Sequence, residues 1–175
     1  MGSRPPDTEF AAYYARYVSL VPETEILTVL EKQTAEITRV AALVDSPHEQ
    51  FRYLPDKWSV REVFGHLIDA ERVFGYRAFC ISRGDTAHLP SFDENAYIAQ
   101  SRYHEQPLAS ILTELKSARE GNLHFMRWLP DDNWMRIGTA SSNLVSVRAL
   151  AFIMAGHVRH HFNILRERYH LSPAP

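Results

Sequence analysis

The sequence predicts an all-α protein, an antiparallel four-helix bundle with a short extra helix between its second and third long helices. Three observations predict it. Four long stretches repeat apolar residues at three- and four-residue steps. Proline and turn signals separate them. The chain has 175 residues, 45 % hydrophobic and 23 % charged, which suits one domain over residues 1–175 whose core needs no disulfides.

Residues 9–20, EFAAYYARYVSL, predict a short leading helix. The first long segment runs from Pro22 to Val44, with Ile26, Leu27, Leu30, Ile37, Val40, Ala41 and Val44 on its apolar face. Pro22 suits a first helical position. The second runs from Val60 to Ser82. Ser59 and Glu62 form a capping-box pattern at its start, and RGD at 83–85 ends it. Val60, Val63, Leu67, Ala70, Phe74 and Ile81 make its stripe. Residues 84–106 are a long connection, with a short helix starting near Asp93. The third long helix runs from Pro107 to Leu129, with Leu108, Ile111, Leu112, Leu115, Ala118, Phe125 and Trp128 as core positions. Residues 130–143 read as irregular. The fourth long helix runs from Leu144 to Tyr169, and places Val147, Leu150, Met154, His157, His161, Ile164 and Leu165 on one face.

The composition excludes several classes of function. A net charge of −2 without a dense Lys/Arg run argues against a nucleic-acid partner. The single cysteine, Cys80, excludes a disulfide scaffold and a thiolate zinc site within one chain, and reads as core filler. No apolar run approaches the ~20 residues of a membrane span, and the N-terminus has no signal-peptide core. The expected compartment is the cytoplasm.

The chemistry gathers in AGHVRHH, residues 155–161, which follows the apolar run LAFIM. Buried imidazoles need partners. Residues four apart on a helix lie within ~40° of each other, so His157 and His161 project side by side, while His160 is offset by ~60° from His157. Such a pair is a common way for one helix to hold a transition metal. A third donor must come from elsewhere, and His66 is the candidate, on the shoulder of the second helix's stripe. Gly65 beside it allows another helix to come close. A lone helical histidine is more often a satisfied core or surface residue, and His48, His88, His104, His124 and His170 carry no assigned role. Cys80 lies ~21 Å along the helix from His66, too far to join it. Glu62 either completes the capping box, the favoured reading, or orients a ligand imidazole or serves as general base. Asp69 either pairs with Arg72 or Arg77 or serves as an orienting group or general base. A di-iron site is not indicated, because Glu-x-x-His occurs once, at Glu167 and His170.

KWSVREVFGHLIDAERVFGYRA (57–78) and LAFIMAGHVRHHFNILRERY (150–169) resemble the DinB/YfiT-like superfamily of four-helix-bundle metalloproteins. The first matches its W-S-x-x-E/Q-x-x-x-H-L helix and the second its H-x-x-H-H helix. The resemblance implies one divalent metal per chain, zinc or nickel, held by His66, His157 and His161, with His160 beside them as a non-ligand. It also implies a homodimer, for which Tyr13, Tyr14 and Tyr17 offer an aromatic contact surface, or alternatively a cover for one end of the bundle.

Three neutral imidazoles with no evident fourth ligand leave an open position for water or a thiolate. The function expected is a metal-dependent enzyme acting on a small molecule, a thiol S-transferase using a low-molecular-weight thiol or a hydrolase, with Asp69 or His160 moving protons. The alternative is a non-catalytic metal-binding or stress-response protein.

Overall fold

The computed structural model describes residues 4–171. Four long helices form where the periodicity places them: α2 (Ile26–Ala41), α3 (Val60–Ser82), α5 (Leu108–Arg127) and α7 (Val147–Arg168). The described residues also contain α1 (Ala15–Val18), α4 (Glu94–Gln100), α6 (Asp131–Trp134) and a hairpin of β1 (Ile137–Ala140) and β2 (Asn143–Ser146). No helix among them is long and apolar enough to cross a membrane.

α3 packs against α5 and α7, and α2 packs against the same two helices, so α2 and α3 stand diagonally across the bundle. Directions follow from the pairings. Tyr169, at the end of α7, hydrogen-bonds the Trp58 carbonyl just before α3, so these two helices are antiparallel. Arg119 meets Leu30 and Leu112 lies beside Thr38, so α5 and α2 are antiparallel as well. Glu71 meets Arg119 and Phe79 meets Phe125, so α3 and α5 run in the same direction. That parallel pair requires one long crossover, which is the connection from 83 to 107 that contains α4.

α3 has the expected bounds because both ends are specified locally. The Ser59 hydroxyl accepts from Glu62 N and the Glu62 carboxylate accepts from Ser59 N. At the other end Gly84 takes φ +81°, a left-handed position that a Cβ would strain, and the next amide, Asp85 N, closes onto the Cys80 carbonyl. α4 starts at Glu94 with Asp93 as its N-cap.

Other boundaries differ from expectation. α2 starts at Ile26, not Pro22, because the Glu23 carboxylate is drawn to Arg159 of α7, at 2.7 and 2.8 Å, and the chain stays non-helical through Glu25. α7 starts at Val147, capped by Ser146, because Leu144 and Val145 belong to β2. Residues 130–143 are not irregular: they hold α6, β1 and the hairpin turn. Trp128 is 81 % exposed rather than core, since α5 ends at Arg127 and releases it. The inward position expected of Ala118 is taken by Arg119.

The core has two apolar clusters. One joins the N-terminal half of α7 to the leading segment and the C-terminal half of α3. The other joins the C-terminal half of α7 to the N-terminal halves of α3 and α5. The polar cluster described next lies at the seam between them.

A candidate metal centre

His66 lies two turns into α3, and His157 and His161 lie one turn apart on α7. The antiparallel packing of these helices brings the three rings together. His66 Nε2 is 3.0 Å from His157 Nε2, which is 3.1 Å from His161 Nε2. All three rings offer a donor atom within 4.8 Å of the others, and all three residues are buried. His66 is 5 % exposed, so it sits inside the bundle rather than on its shoulder.

Glycines admit what presses on the cluster. A Cβ at Gly156 would stand 2.0 Å from the Tyr17 carbonyl oxygen, so the glycine lets the leading segment lie flat on α7 beside His157. A Cβ at Gly65 would stand 2.2 Å from the Tyr103 ring, so what comes close beside His66 is that tyrosine from the crossover rather than a helix. The leading segment is clamped at both ends by arginines of α7. Arg148 holds the Glu9 carboxylate, which also accepts from Ser146, and Arg159 holds Glu23 and the Leu20 carbonyl. Within it the expected short helix is two 3₁₀ turns, 7–9 and 12–14, followed by α1. Trp58 packs on His66 with centroids 4.7 Å apart, and Phe74 meets His157 edge-on at 5.8 Å.

The protonation states suit metal ligation. Burial pushes the His66 pKa down to about 4, with a further push from His160. Burial and then the neighbouring histidines hold His157 and His161 well below the ordinary value of 6.5. The rings are therefore neutral at pH 7, each with one lone-pair nitrogen. The Nδ1 atoms of His66 and His161 have no hydrogen-bond partner among the described residues. Three converging nitrogens cannot all be satisfied by one another, whereas one cation satisfies all of their lone pairs. Two imidazole nitrogens each about 2.1 Å from one ion stand roughly 3.0 to 3.4 Å apart as the angle between them widens from a right angle to tetrahedral. The two spacings observed fit that range. An all-imidazole set suits zinc, nickel, copper or iron, not the hard cations calcium and magnesium.

In metal-free protein the same burial makes stability depend on pH. Histidines protonate near pH 6.5 in the unfolded chain and well below that here, so the unfolded state binds more protons as pH falls. Stability is full above about pH 6.5 and declines toward pH 4, by up to about 1.4 kcal/mol per pH unit for each histidine. Denaturant unfolding of metal-free protein at a series of pH values tests this. A flat profile would mean that the rings are not buried neutral.

The cluster opens on a cleft of about 420 Å³, lined by His66, His157, His160 and His161 and walled by Tyr14, Tyr17, Trp58, Phe74 and Phe92. His160 is partly buried, its ring centroid 5.2 Å from that of His161. It is not one of the three grouped donors. Asp69 does not line this cleft. Its carboxylate accepts from the Tyr103 hydroxyl at 2.9 Å and faces a shallow cleft with Tyr97, Gln100 and Ser101. Burial raises the Asp69 pKa, opposed by the Tyr103 hydrogen bond. Neither expected arginine pairs with it: Arg72 meets Glu114, and Arg77 meets the Pro90 carbonyl and Ser141. Glu62 is occupied by the capping box and Arg52. Tyr17 is buried against the histidines, Tyr14 is partly buried against Phe74, and Tyr13 is 57 % exposed, so these tyrosines wall the cleft. Arg16, Glu94, Ser141 and Asn143 also line it, and nothing in the helical periodicity pointed to them.

Comparison with known proteins agrees with this architecture. Among solved structures, YfiT from Bacillus subtilis, described as a probable metal-dependent hydrolase with an unusual four-helix bundle topology, superposes with a TM-score of 0.71 at 18 % sequence identity, covering 98 % of this chain and 97 % of that one. The mycothiol-dependent maleylpyruvate isomerase superposes with a TM-score of 0.67 at 15 % identity, covering 83 % of this chain and 61 % of the isomerase. At these identities the likeness is one of fold. No curated protein matches the sequence. The family model of the DinB superfamily matches residues 29–165, a span that takes in all three buried histidines, and the chain therefore belongs to the DinB superfamily.

Proposed function

We propose that the protein is a metal-dependent enzyme acting on a small molecule, with one divalent transition metal, zinc or nickel, held by His66, His157 and His161. The observation that carries this reading is that the three imidazoles converge on a cleft with room for a small ligand. Among the described residues no fourth His, Cys, Asp or Glu joins their group, whereas structural zinc sites are closed by four protein ligands. When bound, a divalent cation supplies a Lewis acid that makes water or a thiol a stronger nucleophile near neutral pH. His160 borders the cleft, and burial lowers its pKa, followed by the charge of Arg16, so its ring is neutral and able to accept a proton at pH 7. Asp69 faces elsewhere, which leaves His160 as the proton-moving group. The aromatic walls exclude water around the substrate. We further propose that the chain works in the cytoplasm as a homodimer, with the exposed Tyr13 at the rim of the cleft available to the contact.

Hydrolysis and thiol transfer both suit an open three-nitrogen site, and cobalt-substituted protein separates them. Thiol transfer requires that a small biological thiol add a near-ultraviolet charge-transfer band. An unchanged spectrum, together with metal-dependent ester or amide cleavage, identifies a hydrolase. Undiminished turnover by metal-free protein would overturn the reading. His160→Ala should keep its metal and lose about 10²- to 10⁴-fold in turnover. If it loses metal as His157→Ala does, it is a ligand instead.

A further inference from the structure

Arg16 lines the cleft, its guanidinium set against two tyrosine rings. Its guanidinium carbon lies 3.8 Å from the Tyr13 ring centroid and 4.8 Å from that of Tyr17, and its Nη2 donates a 3.0 Å hydrogen bond to the Tyr17 hydroxyl. The Tyr17 ring in turn packs against His157 and His160, with centroids 5.3 Å apart in each case. A stacked aromatic support therefore holds the guanidinium at the edge of the histidine cluster.

Its charge has no counterpart there. Arg61, Arg119, Arg148 and Arg159 each meet a carboxylate. Among the described residues Arg16 meets none, and its hydrogen-bond acceptor is a neutral phenol. Glu94 is the carboxylate that lines the cleft, and it forms no ion pair with Arg16. Neutral imidazoles would leave a bound dication's charge undiminished, and the guanidinium adds a further positive charge to the same space. With a dication bound, the ion and Arg16 would outweigh the single carboxylate of Glu94, a balance that attracts anions. One guanidinium N–H is engaged by Tyr17, and the others remain in the planar fork that matches a carboxylate.

We propose that Arg16 binds a carboxylate of the substrate, so that the small molecule acted on in this cleft is a carboxylic acid anchored by the guanidinium beside the three histidines. This rests on the reading of the cleft as the active site.

The test is calorimetric titration of the full chain, cobalt-loaded and metal-free, with succinate and benzoate and with their neutral amides. Benzoate is included because the walls are aromatic. Wild-type protein should bind at least one of the acids saturably at millimolar concentration and the matching amide far more weakly. Arg16→Gln should weaken the acid by about 10- to 100-fold, as loss of hydrogen bonds to a charged group implies. Arg16→Lys should fall between, and so should Tyr17→Phe, which keeps the ring and removes the acceptor that orients the guanidinium. Arg16 is exposed, so its own two variants should melt as wild type does. Equal affinity in wild type and Arg16→Gln overturns the proposal, as does failure of both acids to bind wild type. Binding of inorganic phosphate alone, with the same dependence on Arg16, overturns the carboxylate assignment. Arg16-dependent binding by a protein that takes up no metal would refute the metal reading while sustaining this one.

Discussion

Replacing His157 with alanine is expected to abolish metal uptake under conditions in which wild-type protein binds one ion per chain. His157 is the vertex of the cluster, in contact range of both His66 and His161. Its loss leaves two nitrogens on different helices. Losing a group that merely orients a ligand already costs 10- to 100-fold in metal affinity, so losing a ligand should cost at least about 100-fold. A ligand present at a thousand times its Kd stabilises the folded state by about 4 kcal/mol. Wild-type protein should therefore melt higher with metal than without, and the variant should melt at the same temperature in both. Without metal the two proteins should differ less, because two effects oppose. The substitution opens a cavity, which destabilises. It also removes an imidazole packed against like groups and far from water, which relieves a desolvation cost. His66→Ala and His161→Ala should follow the same pattern. Elemental analysis of untagged protein, with melts recorded with and without added metal, measures both effects. Full metal content in any of the three variants would remove that residue from the ligand set.

The parts of this protein that were legible in its sequence are those fixed by short-range rules. α3 begins and ends as read because a capping box and a following glycine specify both ends within a few residues. The proximity of His157 and His161 follows from helical geometry alone. That His66 joins them depends on how two helices pack, and periodicity could place it near the interior but not beside a particular partner. The hairpin was missed for a local reason. Its turn residues, Ser141 and Ser142, take φ of 51° and 61°, positions usually marked by Gly or Asn, and each strand has four residues. Arg16, and the packing of Tyr17 on the histidines, were out of reach for a different reason. Both residues lie on a four-residue helix whose position is set by ion pairs across more than a hundred residues of sequence, Glu9 to Arg148 and Glu23 to Arg159. No sequence period encodes such a clamp. The same holds for Arg119, a charged residue at an inward position whose partners lie on other helices.

The largest loss of stability from a single substitution is expected at that arginine's partner, in Glu71→Ala. Arg119 is 0 % exposed and Glu71 2 %. The guanidinium grips the carboxylate with both arms, Nε to Oε1 at 2.7 Å and Nη2 to Oε2 at 2.8 Å. Nη1 donates to the Leu30 carbonyl and to Gln33 Oε1, each at 3.2 Å, and Asn122 donates to Glu71 Oε1 at 3.0 Å. Gln33 then donates to the Ala155 carbonyl at 2.7 Å, so the network touches all four long helices and ends two residues before His157. Truncating Glu71 strands a buried guanidinium among carbonyl groups. Breaking a buried pair in this way costs about 3–5 kcal/mol, a large part of the roughly 5–15 kcal/mol that holds a domain folded. The loss measures the stranded charge more than the value of the pair. A double replacement with apolar residues of similar volume, Glu71→Leu with Arg119→Met, should therefore recover most of it. Urea unfolding curves test both variants, provided the slope with denaturant stays constant. A Glu71→Ala cost below about 1 kcal/mol would mean that water reaches Arg119 once the carboxylate is gone, and that the charge is not sealed at the centre of the bundle.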